Sequence, residues 1–559
     1  MSQKINRCLI ICVWLLIIGL LVYSRFVNLD WGLPYPMHPD ERNMANAIQQ
    51  LNCKFSINNF QNCFNPHFFA YGQFPLYLGY FLIWISHGFR NFGKFVITFN
   101  EAVMSLRIIS AVASIVNVFV LIKMINLFKK KHGSLFASWR IGMTGGVLIF
   151  SPFFIQFSHF GTTESLLMLF YCLIVYYSLK FFDSKGRSLV ALGMTAGVCG
   201  LALATKVSSM LFLTVPIYVF ISKIKDQRSN PSSKFKAFSF ILGFAFFTLI
   251  FAFVFSPHNF IHWKDFLSSM RYESDVALGK MVIFYTRQFV DSIPVLFHFE
   301  KIFPYALGLP VFILSLLGFL FLSWKNKNIN ILRFAFLIYF LPTAFMFAKW
   351  SRFMAPIFPL MSVFAILFVQ NVVHRLDRKI WIPAFAGMTL LLIIPGINYL
   401  RIYQKLDVRF QATNWINKNI PVNSYVLSET ANVVDIPMVN EKNLNVVSFN
   451  FYEIDNDLNL NEELKNHLIR TDYIFVPSRR IYANHPKQRY PKLNKYYENL
   501  FSTLCHPEPF DFAQGKLREG SFCFKKIAEF SSGLNNEGAE ETWTVFDHPT
   551  IRIYKKSKI

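Results

Sequence analysis

Long apolar runs alternate with short polar connections along the chain, and this pattern constrains the fold more than any other feature. A helix needs about 20 apolar residues to cross a hydrocarbon core of about 30 Å. With 53% hydrophobic residues and 65 phenylalanines among 559 residues, the chain has too much apolar surface for one soluble core. We therefore expect a mostly α polytopic membrane bundle. Its eleven predicted spans are 8–27, 103–127, 141–157, 165–182, 188–204, 207–222, 237–255, 305–323, 332–348, 353–373 and 380–399.

Basic residues in the connections indicate how the chain is oriented. Cytoplasmic loops of membrane proteins carry an excess of Lys and Arg. The net charge of +24 is therefore a topology signal, and we expect no nucleic acid partner. An odd number of spans with the N-terminus inside places the C-terminus outside. The basic clusters that then face the cytoplasm are 129–131, 185–187, 223–236, 325–327 and 375–379.

A twelfth apolar run, from Phe74 to Phe89, is short for a crossing. Counting it as a span would reverse all the topology after it. Its aromatic residues suit a helix lying along the outer interface, which is the position we expect. A true span with inverted topology remains the alternative.

After residue 400 the composition becomes polar, which indicates a second domain. We expect a transmembrane domain over 1–400, whose first outer loop is 28–102, and a soluble extracytoplasmic α/β domain over 401–559. Two stretches, 381–389 and 506–520, resemble peptides translated from dispersed genomic repeats and are given no functional role. The outer domain is predicted to contain a helix over 404–419 and strands at 425–427, 445–449, 473–476, 542–546 and 551–554.

Four cysteines fall on the predicted outer side: Cys53, Cys63, Cys505 and Cys523. An oxidising compartment would permit Cys53–Cys63 and Cys505–Cys523 bridges, and free thiols are the alternative. No Cys/His spacing matches a structural zinc site. A divalent metal remains open, because histidines and acids occur together on the outer side, but no ligand spacing requires one.

Three carboxylates fall at the same outer face of the membrane. Asp40 and Glu41 follow Pro39 at the predicted start of an amphipathic helix, and Glu164 lies in the connection between the third and fourth spans. Acids at such positions also serve as helix caps or favourable first-turn charges. Either role is consistent with the residues alone.

Four cations are predicted at the same depth: Arg107, Lys206, Lys349 and Arg352. Each could simply extend toward the interface. Their coincidence with three acids favours one charged hollow at the outer face, built from several connections.

Several stretches stand out along the chain: the Asp40-Glu41 pair, 71–77 (YGQFPLY), SLRIISAVASIV around Arg107, HFGTTESLLMLF around Glu164, GLALATK ending at Lys206, SRFMAPIFPL around Arg352 and, weakly, 546–549 (FDHP). Together they resemble the C-type glycosyltransferase superfamily, most closely its protein O-mannosyltransferase and aminoarabinose-transferase branch. The resemblance implies transfer of a sugar from a polyprenyl-phosphate donor to a glycan, lipid or protein acceptor on the outer face of the plasma membrane. The first-loop aspartate, here Asp40, would be the base.

The expected site follows from this resemblance and from the charges. Two positions depart from many relatives: Gln73 replaces a lysine, and Glu164 replaces an aspartate. The expected catalytic residues are Asp40, Glu41 and Glu164, the donor phosphate-binding residues are Arg107, Lys206, Lys349 and Arg352, and the acceptor or sugar contacts are His38, Tyr71 and His159.

The chemistry of a lipid-linked donor fits these residue types. A phosphate is a competent leaving group, so transfer needs a base for the acceptor hydroxyl and cations for the phosphate, but no general acid. One direct displacement would invert the anomeric carbon. The long outer loop 256–304 is either a lid over the site or a passive connector. A transporter or flippase of lipid-linked sugars is the alternative function, and a non-catalytic scaffold is a third.

Overall fold

The structure is a computed structural model that describes residues 2–53, 62–89, 95–128, 134–184, 189–226, 231–373, 378–430, 436–438, 443–502 and 522–558. The chain divides into two compact units. The first contains Met1–Asp30, Asp40–Asp275 and Pro294–Arg401. The second contains Trp31–Pro39, Val276–Ile293 and Ile402–Ile559. Two short segments that precede residue 400 therefore belong to the second unit.

The first unit is built from helices, and helical structure occurs at each of the eleven predicted runs. The third run is divided in two just before Pro152, because proline has no N–H for the helical ladder and favours the first turn of a new helix. The helices are α1 Ser2–Phe26, α2 Pro39–Gln49, α3 Phe74–Ser86, α4 Phe99–Asn126, α5 Ser134–Ile149, α6 Pro152–His159, α7 Glu164–Asp183, α8 Leu189–Leu203, α9 Thr214–Asp226, α10 Pro231–Phe255, α11 His258–Ile261, α12 Trp263–Ala277, α13 Leu296–Lys301, α14 Phe303–Ala306, α15 Leu309–Phe321, α16 Lys327–Ala344, α17 Ser351–Met354, α18 Phe358–Val373 and α19 Arg378–Leu400.

Three helical segments among the described residues are long and apolar enough to cross a membrane: Phe99–Asn126, Glu164–Asp183 and Ser351–Val373. Shorter apolar helices account for other predicted runs, and the predicted interfacial segment is the 13-residue helix α3. The prediction of a mostly α protein is confirmed. The number of spans and their orientation stay predictions.

The long outer loop 256–304 has more regular structure than its sequence suggested. It contains α11, α12, α13 and the start of α14. Its part from Val276 to Ile293 belongs to the second unit.

The second unit contains one five-stranded sheet with the order β2-β1-β3-β5-β4. β1 is parallel to both β2 and β3, whereas β5 is antiparallel to β3 and β4. Helices pack against the sheet and bury two apolar cores, so the predicted α/β character of this region is confirmed. The strands are β1 Tyr425–Glu429, β2 Asn445–Phe449, β3 Tyr473–Val476, β4 Phe522–Phe530 and β5 Ile551–Lys558, and the helices are α20 Val408–Asn419, α21 Leu458–Arg470, α22 Pro491–Phe501 and α23 Glu541–Thr544.

One predicted strand, 542–546, is wrong, because Glu541–Thr544 forms a helical turn. The Glu540 carboxylate accepts hydrogen bonds from the Thr542 backbone N–H and hydroxyl, at 3.1 and 2.5 Å, and so caps this turn. The capping overrides the strand propensity of the Thr-Trp-Thr-Val-Phe sequence. The strand β4 was not predicted.

Cys53 and Cys63 form a disulfide, with their Cα atoms 4.4 Å apart. Cys505 and the repeat-like segment 506–520 lie outside the described residues. So do the basic clusters at 129–131 and 185–187, and part of the clusters at 223–236 and 375–379.

Candidate functional site

Helix α2 begins at Pro39 and places both acids of the first outer loop in its first turn. Proline is favoured there, because the first helical N–H has no partner within the helix. The helix buries Met44, Ala47 and Ile48 on one face. Because successive helical residues are about 100° apart around the axis, Asp40 and Glu41 point in different directions.

Asp40 forms an ion pair with Arg352, the second residue of α17. Each of the two side chains is 19% exposed, so the pair is reachable from outside the protein. The guanidinium carbon of Arg352 lies 4.7 Å from the Trp350 ring centroid and 5.8 Å from that of Phe353. These rings hold the guanidinium against the carboxylate.

Glu41 is buried and forms a two-bond ion pair with Arg107 on α4. The Arg107 Nε and Nη2 donate to the two carboxylate oxygens at 2.7 and 2.8 Å. The Gly161 backbone N–H donates to Glu41 Oε1 at 2.7 Å, and Arg107 Nη1 donates to the Leu29 carbonyl at 2.8 Å. With side chains 3% and 0% exposed, this pair joins α2, α4 and the connection before α7, and has no access to a substrate.

Glu164 begins α7 and lies 3.6 Å from the Nζ of Lys206, which follows α8. Lys206 is 15% exposed and its Nζ lies 4.9 Å from the Tyr71 ring centroid. Burial raises the pKa of the Tyr71 hydroxyl well above its ordinary value, and the carboxylates of Glu164 and Glu273 raise it further. Tyr71 is therefore a neutral hydroxyl at any physiological pH.

The Phe353 ring lies near the cations of both ion pairs, Arg352 and Lys206. The Lys206 Nζ lies 5.6 Å from the Phe353 ring centroid, and the Arg352 guanidinium lies 5.8 Å from the same centroid. The structure thus brings together Asp40, Glu164, Lys206 and Arg352, whose positions span more than 300 residues of sequence.

The backbone at Gly72 aligns the first outer loop with the end of α8. Gly72 N–H donates to the Thr205 carbonyl at 3.0 Å, and Phe74 N–H donates to the Ala204 carbonyl at 3.1 Å. A Cβ at Gly72 would lie 1.9 Å from the Ala204 oxygen, so no other residue allows this approach. The pairing sets Tyr71 beside Lys206.

Glu273 on α12 also belongs to this charged cluster, although sequence reasoning gave it no role. The Glu273 side chain is exposed. The surrounding protein nevertheless removes enough water to raise the pKa of Glu273, and the positive charge of Lys206 partly offsets this rise. No local sequence motif marks Glu273. The only available signal was an acid in a long outer loop.

Lys349 is buried beside His298. It is 3% exposed, and its Nζ donates to the Phe347 carbonyl at 3.0 Å. Burial lowers the pKa of Lys349. Burial, with a smaller contribution from Lys349, lowers the pKa of His298 to about 3. Lys349 is thus more deeply buried than Lys206 and Arg352.

Two of the predicted acceptor or sugar contacts make contacts within the protein. The ring nitrogens of His159 lie 2.7 Å from the Ile155 carbonyl and 2.9 Å from the Val27 carbonyl. His38 belongs to the second unit, where its ring packs at 4.1 Å from the Phe546 ring. Tyr71 is the member of this group that lies beside Lys206.

Gln73, at the position where the resemblance implies a lysine, is fully buried. Its Nε2 donates to Asn259 Oδ1 at 3.1 Å, and its Oε1 accepts from the His258 backbone N–H at 3.0 Å. The amide therefore links the first outer loop to α11. It is not placed to bind a phosphate.

Among the residues that the structure describes, no group of three or more His, Cys, Asp or Glu side chains is placed to hold a metal ion.

Residues 80–253 match the family model described as dolichyl-phosphate-mannose-protein mannosyltransferase. The matched segment includes Arg107, Glu164 and Lys206, whereas Asp40 and Arg352 lie outside it. The predicted resemblance to the C-type glycosyltransferase superfamily is confirmed by this match. The match also supports membrane glycosyltransferase activity for this chain.

Several solved structures align with the chain at low sequence identity. ArnT from Cupriavidus metallidurans, bound to undecaprenyl phosphate, is 13% identical, with 72% of each chain covered and a TM-score of 0.43. The oligosaccharyltransferase of Archaeoglobus fulgidus in its apo form is 12% identical, with 86% of this chain and 72% of that chain covered and a TM-score of 0.46. The protein O-mannosyltransferase complex of S. cerevisiae bound to the sugar donor is 17% identical over 45% of this chain and 34% of that chain, with a TM-score of 0.31. No curated protein sequence matches the chain.

Proposed function

We propose that this protein is a glycosyltransferase that moves a sugar from a polyprenyl-phosphate donor to an acceptor hydroxyl at the outer face of the membrane. The observation that carries this proposal is the pairing of Asp40 with Arg352 beside Lys206 and Glu164. The family-model match supports a lipid-phosphate sugar as the donor class.

Asp40 is the proposed general base. It is the accessible carboxylate of the first outer loop, because the neighbouring Glu41 is sealed by Arg107. One Asp40 oxygen accepts from Arg352, and the other oxygen is the one proposed to take the proton of the acceptor hydroxyl. A base must lie within hydrogen-bonding reach of the proton that it removes, and accessibility is the first condition for this.

Arg352 and Lys206 are the proposed ligands of the donor phosphate. Both are partly exposed, and both lie against the Phe353 ring, so one phosphate could accept from the two cations. The Lys206–Glu164 distance of 3.6 Å is longer than a direct hydrogen bond, so this lysine can turn toward a phosphate at small cost. Cations at the phosphate stabilise the charge that develops as the sugar departs.

The remaining predicted residues support the site in other ways. Arg107 and Glu41 are proposed to hold α2 in place, since their charges satisfy each other inside the protein. Glu164, whose side chain is 4% exposed, is proposed to orient Lys206. Glu273 and Tyr71 are proposed to contact sugar hydroxyls beside it. Lys349 is proposed to add positive charge behind the phosphate position.

A single displacement follows from having one accessible base opposite a phosphate leaving group. The acceptor oxygen would attack the anomeric carbon as the C–O bond to phosphate breaks, and Asp40 would take the acceptor proton. Such a step inverts the anomeric configuration. Phosphate leaves as an anion, so no acid is needed to protonate it.

The site is proposed to open to the outer leaflet. A polyprenyl tail partitions into the bilayer, so a site at the membrane edge lets the donor enter sideways. We propose eleven spans with the N-terminus inside, a transmembrane region over 1–400 that includes the first outer loop, an extracytoplasmic domain over 401–559, and residence in the plasma membrane.

The proposal is tested with purified protein in liposomes that contain a radiolabelled polyprenyl-phosphate sugar. With an envelope extract as the acceptor source, we expect label to move to a water-soluble or protein-bound product and polyprenyl phosphate to be released. A panel of hexose and pentose donors identifies the sugar. Movement of intact donor between leaflets, without release of polyprenyl phosphate, would contradict transfer and favour a flippase.

A further inference from the structure

The hydroxyl of Tyr339, on α16, reaches the short helix that carries Arg352. It donates to the Phe353 carbonyl at 2.9 Å. Phe353 directly follows Arg352 in α17, which is only four residues long. Tyr339 is 4% exposed, so the surrounding protein encloses this hydroxyl. The hydrogen bond therefore ties the turn that presents Arg352 to the helix that precedes it.

The Phe353 carbonyl gains from a donor outside its own turn. A carbonyl in a helical turn usually accepts from the N–H three or four residues further on. Three residues after Phe353 is Pro356, in the 3₁₀ turn Ala355–Ile357, and proline has no N–H to donate. A helix as short as α17 is also too short to be stable by its own backbone bonds. The Tyr339 hydroxyl thus supplies a bond to Phe353 that Pro356 cannot.

The ring of Tyr339 packs against the segment that follows Lys206. That segment is the 3₁₀ turn Val207–Leu213. Its Phe212 is 1% exposed, and the Phe212 ring centroid lies 5.6 Å from that of Tyr339. Tyr171 on α7 stacks on Phe212 at 4.3 Å and lies 5.8 Å from the Tyr339 ring. The Tyr339 side chain therefore contacts the chain beside each of the two cations proposed to bind phosphate.

The position of α16 depends on contacts other than the Tyr339 hydroxyl. The Tyr171 hydroxyl donates to the Ala335 carbonyl at 2.5 Å, one turn before Tyr339. The Thr343 hydroxyl donates to the Tyr339 carbonyl at 2.8 Å. Loss of the Tyr339 hydroxyl alone should therefore release the α17 turn and leave α16 in place.

The α17 turn matters for phosphate binding because it carries both Arg352 and the ring beside the cations. The Phe353 ring centroid lies 5.6 Å from Lys206 Nζ and 5.8 Å from the guanidinium carbon of Arg352. A shift of α17 would move Arg352 relative to Lys206. A phosphate that accepts from two cations requires both at a suitable separation, and small misplacements reduce such an interaction strongly.

We infer that the Tyr339 hydroxyl is a positioning group for the donor phosphate, and that it holds Arg352 in place through the Phe353 carbonyl. This inference rests on the proposed function. All of the residues involved belong to the first unit. Tyr339 contributes to donor binding without contact with the donor.

The test compares Tyr339→Phe with Tyr171→Phe in purified protein, and a radiolabelled polyprenyl phosphate is the binding probe. Tyr339→Phe removes one hydroxyl and keeps the ring, and it should weaken probe binding by about 3- to 10-fold. In the transfer assay the donor KM should rise by a similar factor, with the acceptor KM unchanged within about twofold.

Tyr171→Phe is the matched control, because it removes a hydroxyl bond to a backbone carbonyl from the same aromatic cluster. It should bind the probe as the wild type does. Binding is measured below the melting temperature of the least stable variant, so that only folded proteins are compared.

Two further backgrounds show whether the hydroxyl acts through Arg352. In Arg352→Gln, the added Tyr339→Phe change should weaken probe binding no further, whereas in Lys206→Gln it should weaken binding as it does in the wild type.

Wild-type probe binding by folded Tyr339→Phe would overturn the inference. So would an equal loss in Tyr171→Phe, or a full further loss in the Arg352→Gln background. If the wild type itself neither binds polyprenyl phosphate nor transfers sugar, the proposed function is refuted instead.

Discussion

Asp40 and Glu41 are adjacent in the chain but have opposite surroundings. Asp40 is 19% exposed and pairs with Arg352, whereas Glu41 is 3% exposed and accepts from Arg107 and the Gly161 backbone. The two acids were expected to share a catalytic role. Their contacts favour different roles, in which the Asp40 carboxylate reacts and the Glu41 carboxylate holds helix α2 in place.

Glu41→Gln should therefore affect stability more than chemistry. It leaves the Arg107 charge buried with a neutral partner, which should lower the free energy of unfolding by about 3 kcal/mol. Denaturant titration in detergent would measure this loss. Asp40→Asn should change the unfolding free energy by less than about 1 kcal/mol, because its pair is partly exposed. Equal losses of stability in the two variants would contradict the division of roles.

Gly161→Ala should disrupt the same buried pair. Its Cβ would lie 2.7 Å from Glu41 Oε1 and 2.7 Å from the Cβ of Leu106, so neighbouring atoms must move. Overpacking of this kind costs about 1 to 3 kcal/mol, which a thermal unfolding scan would detect.

The matched control is Gly243→Ala on α10, where an added Cβ meets nothing within 4 Å among the described residues. Because alanine favours helix over glycine, this control should hold or raise the melting temperature. If the Gly161→Ala protein were as stable as the Gly243→Ala protein, the Glu41–Arg107 pair would tolerate the added methyl group, contrary to this prediction.

Among the elements, helices were the easier to predict from the sequence. Long apolar runs need only their own composition, and helical structure lies at all eleven. The strand β4 was missed because its alternation is weak and it follows the repeat-like stretch 506–520. The sequence predicts a strand at the helical turn Glu541–Thr544, because strand propensity does not consider the cap that the Glu540 side chain forms.

The connection between the first outer loop and α11 depends on the uncharged Gln73. Gln73→Lys would bury a charge where the amide now bonds Asn259 and the His258 N–H. We expect it to lower the melting temperature without lowering the donor KM. Tighter donor binding in a stable Gln73→Lys protein would contradict the assignment of phosphate binding to Arg352 and Lys206.

The segment before α22 should make the second unit sensitive to acid. Burial lowers the pKa of His485 from 6.5 to about 4, with Arg287 lowering it further and the Ile481 carbonyl and Glu453 raising it. Between these two pH values the unfolded chain binds a proton that the folded protein does not, so stability falls as the pH drops.

The stabilisation lost by pH 4 from His485 alone is about 3 kcal/mol. His485→Gln should remove most of this pH dependence, as measured by chemical unfolding of the second unit at pH 7 and at about pH 4.5. An unchanged pH slope in the variant would show that other groups determine the acid sensitivity.

For the molecule as a whole, orientation in the membrane decides whether the site faces the outer leaflet. A protease site inserted after Gly533 should be cut by protease added outside intact cells or spheroplasts. A site inserted after Lys325, in a predicted cytoplasmic connection, should be protected until the membrane is opened. The reverse pattern would place the site on the cytoplasmic side.

The individual charges of the site could be found from the sequence, but their pairing could not. Asp40 and Arg352 are 312 residues apart, and Glu41 and Arg107 are 66 residues apart. Only packing decides which acid meets which cation. Glu273 and the close approach at Gly72 lack local patterns for the same reason.

The most direct test of the account is single-turnover sugar transfer by wild type and Asp40→Asn, with enough enzyme in excess to bind all of the labelled donor. Both proteins should bind the donor equally, since the proposed phosphate ligands are Arg352 and Lys206. Loss of the base should lower the transfer rate by at least about 100-fold. Equal transfer rates for the two proteins would contradict the role of Asp40.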